Sequence, residues 1–286
     1  MAHFDTLWNY SKPAETESKF REMLEAFSSG NNLSEYLQLK TQIARTFSLR
    51  RMFDDAHKML DEVENQLPEE NDLAHARYHL ERGRTFNSSG NKEQAFYQFT
   101  KAKHCASSLS EDFFTIDAIH MLAIIALPQQ AVLLNEEAIL YAENSKQERA
   151  KNWLGSLYNN LAWNYFDKGE FEKALSIFLR ALKWREEKKT APEIFLAKWC
   201  VARTLRALNK LEEAMTIQLA LFEEALSTGE EDGYVYEELG ELFLLKQDKG
   251  KTVFHFEKAW QLLGKDAYLQ QNESARLERI KRLAEK

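Results

Sequence analysis

Five stretches of this sequence repeat one pattern of small and large residues. A chain built of like units buries its apolar side chains between neighbouring units rather than in one central core. The pattern is clearest in Leu157-Tyr158-Asn159-Asn160-Leu161-Ala162-Trp163-Asn164-Tyr165, followed by Gly169 to Ala174, Phe178 and Ala181. Small residues at Ala162 and Ala174 let two helix axes approach, and the large residues fill the grooves beside them. Upstream the frame recurs as Gly83, Phe86, Ala95, Phe99 and Ala102, with Gly90 between the helices. Before that it runs Ile43, Ala44, Phe47, Ala56, Leu60 and Val63, closed by Pro68. Downstream, Val201, Ala202, Leu205, Ala214 and Leu221 fit loosely, and Tyr236, Leu239, Gly240, Phe243, Phe256 and Ala259 fit well.

Ala95 and Ala174 stand 79 residues apart, about twice the other spacings, so a further hairpin is expected between them. Phe113 to Asn144 supplies it, with Ala118, Ile119, Leu122, Ala131 and Ala138 in the core slots. Pro128 then falls in the first turn of the second helix, where a missing N–H costs nothing. The second-helix marker reads 56, 95, 131, 174, 214 and 252, with steps of 39, 36, 43, 40 and 38. The added residues are expected between hairpins, in Ser107 to Asp112, Glu187 to Glu193 and Ser227 to Gly233.

In Tyr158, Leu161, Ala162, Tyr165, Ala174, Phe178 and Ala181 the sequence resembles the tetratricopeptide repeat, over residues 37 to 264. Its steps exceed that family's usual 34, as in the longer-repeat class of signalling adaptors and peptide-responsive bacterial regulators. The resemblance implies an all-α, right-handed superhelical solenoid of about six hairpins with terminal capping helices. The expected organisation is an N-terminal segment and capping helix over 1–36, the repeat array over 37–264 and a C-terminal capping helix over 265–286. Phe20, Leu24 and Phe27 read as one face of the first cap; Ala275, Leu277, Ile280 and Leu283 read as that of the last.

Composition agrees with helix. Ten Gly and four Pro in 286 residues are too few for an all-β sandwich, and 44% hydrophobic residues suffice for a core. A net charge of −7 argues against a surface built for nucleic acid or an acidic membrane. Two distant cysteines make no disulfide framework, the first ten residues carry no secretory pattern, and the longest apolar run, Met121 to Leu127, cannot span a bilayer. A cytoplasmic location is expected.

No phosphate-loop, dinucleotide, zinc-protease or serine-hydrolase motif occurs, so neither catalysis nor a cofactor is expected. His75 and His79 share a helical face at i and i+4, yet no Cys or carboxylate completes a metal set and His79 holds a bulky core slot. Cys200 reads as a buried, inert thiol, and Glu69 to Asp72 and Glu230 to Asp232 as solvated loop charge.

In the family the first helices line a concave groove. The resemblance therefore assigns that face to Arg45, Arg77, Arg84, Asn87, His120, Asn159, Trp163, Trp199, Arg203 and Arg206. Arginine offers a planar fork to carboxylates, asparagine can bond an extended backbone, and tryptophan is a large anchor. The expected function is a non-catalytic protein- or peptide-binding adaptor, its partner an acidic or C-terminal segment. Two alternatives stand beside it. The arginines could pair only with local acids such as Glu81 and Glu241, or the chain could be a self-associating regulatory protein whose groove holds its own terminus, for which Phe4, Trp8 and Tyr10 are the candidates.

Overall fold

The computed structural model describes residues 3–27, 32–189 and 191–285, and no strand occurs among them. A 3-10 turn, His3–Leu7, precedes α1 (Pro13–Phe27). Three hairpins follow: α2 (Leu33–Leu49) with α3 (Phe53–Glu64), α4 (Leu73–Ser88) with α5 (Lys92–Ser108), and α6 (Asp112–Ile125) with α7 (Pro128–Asn144). After one helical turn, α8 (Glu148–Lys151), come α9 (Leu154–Asp167) with α10 (Phe171–Lys188), α11 (Ala191–Ala207) with α12 (Leu211–Thr228), and α13 (Gly233–Leu245) with α14 (Lys249–Leu263). The chain ends in α15 (Ala267–Asn272) and α16 (Ser274–Ala284). The hairpin expected at Phe113 to Asn144 is α6 and α7, with Pro128 at the start of α7.

Close axes explain the small residues. A Cβ added to Gly83 would sit 2.5 Å from the Phe99 ring, so that ring packs directly on the Gly83 backbone and a side chain at 83 would displace it. At Gly240 the same atom would lie 3.1 Å from Phe256.

The turn inside a hairpin is as regular as its core. Arg51, Gly90, Gly169, Asn209 and Gln247 all have positive φ, between 59° and 92°, each two residues after the last residue of the first helix. The following N–H bonds back to the carbonyl of the aromatic slot or its equivalent: Met52 to Phe47, Asn91 to Phe86, Glu170 to Tyr165, Lys210 to Leu205 and Asp248 to Phe243. This 6→1 closure satisfies an otherwise orphaned helix carbonyl. The α6–α7 turn differs: Leu127 is extended, as the residue before a proline prefers, and Pro128 starts the next helix.

The chain divides into two compact units, Met1–Leu157 and Tyr158–Lys286, a division that the repeat spacing did not announce. In the first, Phe4, Phe20, Leu39 and Ile43 form one cluster; Leu37, Ala44, Leu60 and Tyr78 the next; Leu80, Phe99, Phe114 and Ala118 a third. In the second, Ala162, Phe178, Val201 and Leu239 form one cluster, and Tyr236, Phe256, Leu277 and Ile280 another.

Several details correct the sequence reading. Much of the added repeat length lies inside the second helices, which run to 17 residues in α5 and 18 in α10 and α12, rather than between hairpins. The C-terminal cap is two helices, broken at Glu273, and Ala275 is exposed while Leu277 and Ile280 are buried. Asp72 and Asp232 are not free loop charges. Each accepts two backbone N–H bonds as the N-cap of α4 or α13. Position 37, expected to open the repeat array, falls inside α2.

Candidate functional site

In the first unit the inner-face candidates meet in an ion ladder across three first helices. Arg77, Glu81 and Arg84 stand at i, i+4 and i+7 on α4, hence on one face. From α2, Arg45 reaches Glu81 at 3.0 Å; Glu81 also pairs with Arg84 at 2.8 Å, and Arg84 pairs with Asp117 of α6. Burial pushes the Glu81 carboxyl up, but Arg45 and Arg84 outweigh it, so it lies below its ordinary value. For Arg84 burial works against the charge, and Asp117 and Glu81 together outweigh it, so it lies above its ordinary value.

The N-terminal segment packs into the same face. Asp5, with its side chain 7% exposed, bonds Arg77 at 2.7 and 2.9 Å and Arg149 of α8 at 3.3 Å. Trp8 donates its indole N–H to Gln42 at 3.0 Å, and the Arg45 guanidinium lies 5.9 and 5.5 Å from the Trp8 and Tyr10 ring centroids. Burial holds Arg149 below its usual value despite Asp5, and the Arg77 charge adds to the depression. Between this segment and the helices lies a cavity of ≈ 330 Å³, walled by Arg45, Arg77, Arg84, Arg149 and by the rings of Phe113 and Trp153. His120 packs against Trp153 at 5.1 Å, and burial lowers its pKa despite the Asp117 charge. Asn87 lies in the last turn of α4 and is not among the residues around the cavity.

In the second unit three first helices carry an aromatic ladder. Trp163 of α9 lies 6.3 Å from Trp199 of α11, and Trp199 lies 6.0 Å from Tyr234 of α13. The Trp199 indole N–H donates to the Tyr234 carbonyl at 3.2 Å, which fixes its ring. Arg203 stands 5.9, 5.8 and 5.3 Å from the rings of Trp163, Phe166 and Trp199. Below it Glu238, 1% exposed, bonds Arg203 at 2.9 Å and Arg206 at 2.7 and 2.9 Å. Asn159 accepts a weak bond from Cys200, whose thiol burial pushes up to about 12. That thiol is therefore no nucleophile.

All five candidate arginines, Arg45, Arg77, Arg84, Arg203 and Arg206, thus have acidic partners within their own unit. His75 closes a capping box with Asp72 and His79 bonds Gln98, so both histidines have structural roles. Sequence reading missed Asp5, Asp117, Arg149, Trp153 and Glu238. The one signal for Arg149 and Trp153 was the long 43-residue step, which the α8 turn fills.

No curated protein sequence matches the chain. Residues 154–188 match the family model of the tetratricopeptide repeat. Among solved structures, apo RapI is 14% identical over 90% of this chain and 73% of its own, with a TM-score of 0.72. A Pyrococcus horikoshii signal transduction ATPase with numerous domains and a tetratricopeptide repeat sensor is 15% identical over 93% of this chain and 42% of its own, at 0.73. The apo form of the quorum sensor NprR from B. thuringiensis is 14% identical over 96% and 83%, at 0.57. At such identities the likeness is one of fold. Residues 154–188 are a tetratricopeptide repeat, and the chain carries the all-α repeat fold of tetratricopeptide-like proteins.

Proposed function

We propose that the chain is a non-catalytic, cytoplasmic module that binds a protein or peptide partner on the inner face of its second unit. The observation that carries this reading is the ladder Trp163, Trp199 and Tyr234, set at matching places on three successive first helices with Arg203 among the rings. Tryptophan, tyrosine and arginine are the residues from which binding hot spots are built. Arg203 also has a buried Nε–H with no acceptor among the described residues, which a turn of the side chain would offer to an acidic or carbonyl group of a partner. NprR, of like fold, is a quorum sensor, and the Pyrococcus relative's repeats are a sensor. Both descriptions suit a surface that receives a partner. Among the described residues no helix is long and apolar enough to cross a membrane.

Selection from a displayed peptide library tests the reading. Enriched peptides should carry an acidic residue beside an aromatic or apolar one and should bind more weakly as salt rises. Trp199→Ala and Arg203→Gln should each weaken binding about tenfold or more, the range of a hot-spot truncation. Folding should survive Arg203→Gln because Arg206 still pairs with Glu238. If neither variant changes binding, the recognition surface lies elsewhere.

A second reading has its own observation: Asp5 is bonded by Arg77 and Arg149, so the first unit's inner face is taken by the chain's own N-terminal segment. On that reading the segment limits what the first unit can bind.

A further inference from the structure

We infer that the cavity of the first unit, separate from the peptide surface proposed above, is a binding site for a small organic carboxylate with a flat apolar body. Charge comes first. Four arginines, Arg45, Arg77, Arg84 and Arg149, line the cavity against three carboxylates, Asp5, Glu81 and Asp117, which leaves one positive charge unbalanced.

Hydrogen bonding points the same way. Arg45 Nε, Arg77 Nε and Trp153 Nε1 are buried N–H groups with no acceptor among the described residues, and all three residues line this one cavity. Arg77 is only 3% exposed, and buried donors are rarely left unpaired. A ligand that brings one negative charge and two acceptor oxygens answers the charge, and a small turn of the Arg45, Arg77 or Trp153 side chain would bring a buried donor to it. A carboxylate carries one charge at neutral pH, whereas a phosphate monoester carries about −1.5 to −2 and would overshoot the balance.

The walls define the remainder of the ligand. Trp8, Phe113, Phe114 and Trp153 present rings, and ≈ 330 Å³ falls at the small end of the range for ligand sites. The volume suits one ring and a short acid arm better than an extended peptide. Because Trp8 and Asp5 form one wall, the N-terminal segment is part of the site, and the ligand would lock it in place.

The test is isothermal titration of the full chain with indole-3-acetate, 3-phenylpropionate and benzoate, each beside its primary amide. At least one acid should bind, and its amide at least about tenfold more weakly, since charge-assisted bonds are the stronger ones. Trp153→Phe keeps a ring but removes a donor, and should weaken the acid about tenfold. Asn152→Asp, at an exposed position on the cavity's edge, cancels the excess positive charge and should weaken the acid similarly while leaving the amide unchanged. Melting temperatures of both variants should match the parent's. No binding by any acid, equal binding of acid and amide, or parent-like affinity in both variants overturns the inference. So does equal competition by a tetrapeptide with a free C-terminus, which would mean that a chain end rather than a small molecule fits. None of these outcomes touches Trp199 or Arg203, so the peptide reading stands or falls separately.

Discussion

At the scale of single residues, the titratable groups of this fold are settled by burial as much as by charge. His57, His79, His120 and His255 all lie below the usual histidine value, with burial the largest cause in each. When the folded-state value is lower than the unfolded one, the unfolded chain takes up protons first as pH falls. The stability held by neutral histidines is therefore complete above about pH 6.5 and declines as pH drops through the folded-state values. The melting temperature should fall between pH 7.5 and pH 5.5, and His120→Gln should make that fall shallower. A level or rising melting temperature over this interval would contradict the assignment. Glu81 is depressed as well, but its contribution is lost only below its ordinary value of 4.5, so the two windows separate.

At the scale of elements, the least regular piece, the five-residue turn His3–Leu7, has the most to explain. It is far too short to be stable alone. Phe4, 1% exposed, packs on Phe20, Ile43 and Phe47, and Asp5 gives the buried Arg77 its carboxylate. Removing one partner of a buried pair leaves an uncompensated charge, at a cost of about 3–5 kcal/mol. Asp5→Asn should therefore lower the urea midpoint with an unchanged slope, and deletion of residues 1–10 should lower it further by also exposing the Phe20 pocket. If Asp5→Asn denatures with the parent, Arg77 is neutralised by something other than this segment. The same balance makes Arg84 unsuitable for charge reversal. Placed between Glu81 and Asp117, a third carboxylate would unfold α4 before it could report on ligand binding.

At the scale of the molecule, the hairpins were legible because each repeats the same sterics: Gly83, Ala162, Ala202 and Gly240 must be small where two axes meet. The sixth hairpin was hard to see because Leu127 and Pro128 replace the left-handed turn that marks the other five. The candidate arginines were legible as positions but not as partners. Arg45 finds Glu81 and Arg203 finds Glu238 one repeat further on, at separations of 36 and 35 residues that no local pattern records. This neighbour-to-neighbour construction has a measurable consequence. Among the described residues these core clusters run through helices that are consecutive in the chain, α4 to α7 in one and α9 to α13 in another, so damage should spread through neighbours and fade with distance along the chain. Gly240→Phe forces a ring into the 3.1 Å gap before Phe256, an overpacking worth about 1–3 kcal/mol. Hydrogen exchange should accelerate in α13, in α14 and in α16, which packs on α14, while amides of α2 to α5 keep their protection. Equal loss of protection in α2 to α5 would show that the chain opens as one cooperative body, and that the local character of its packing does not extend to its stability.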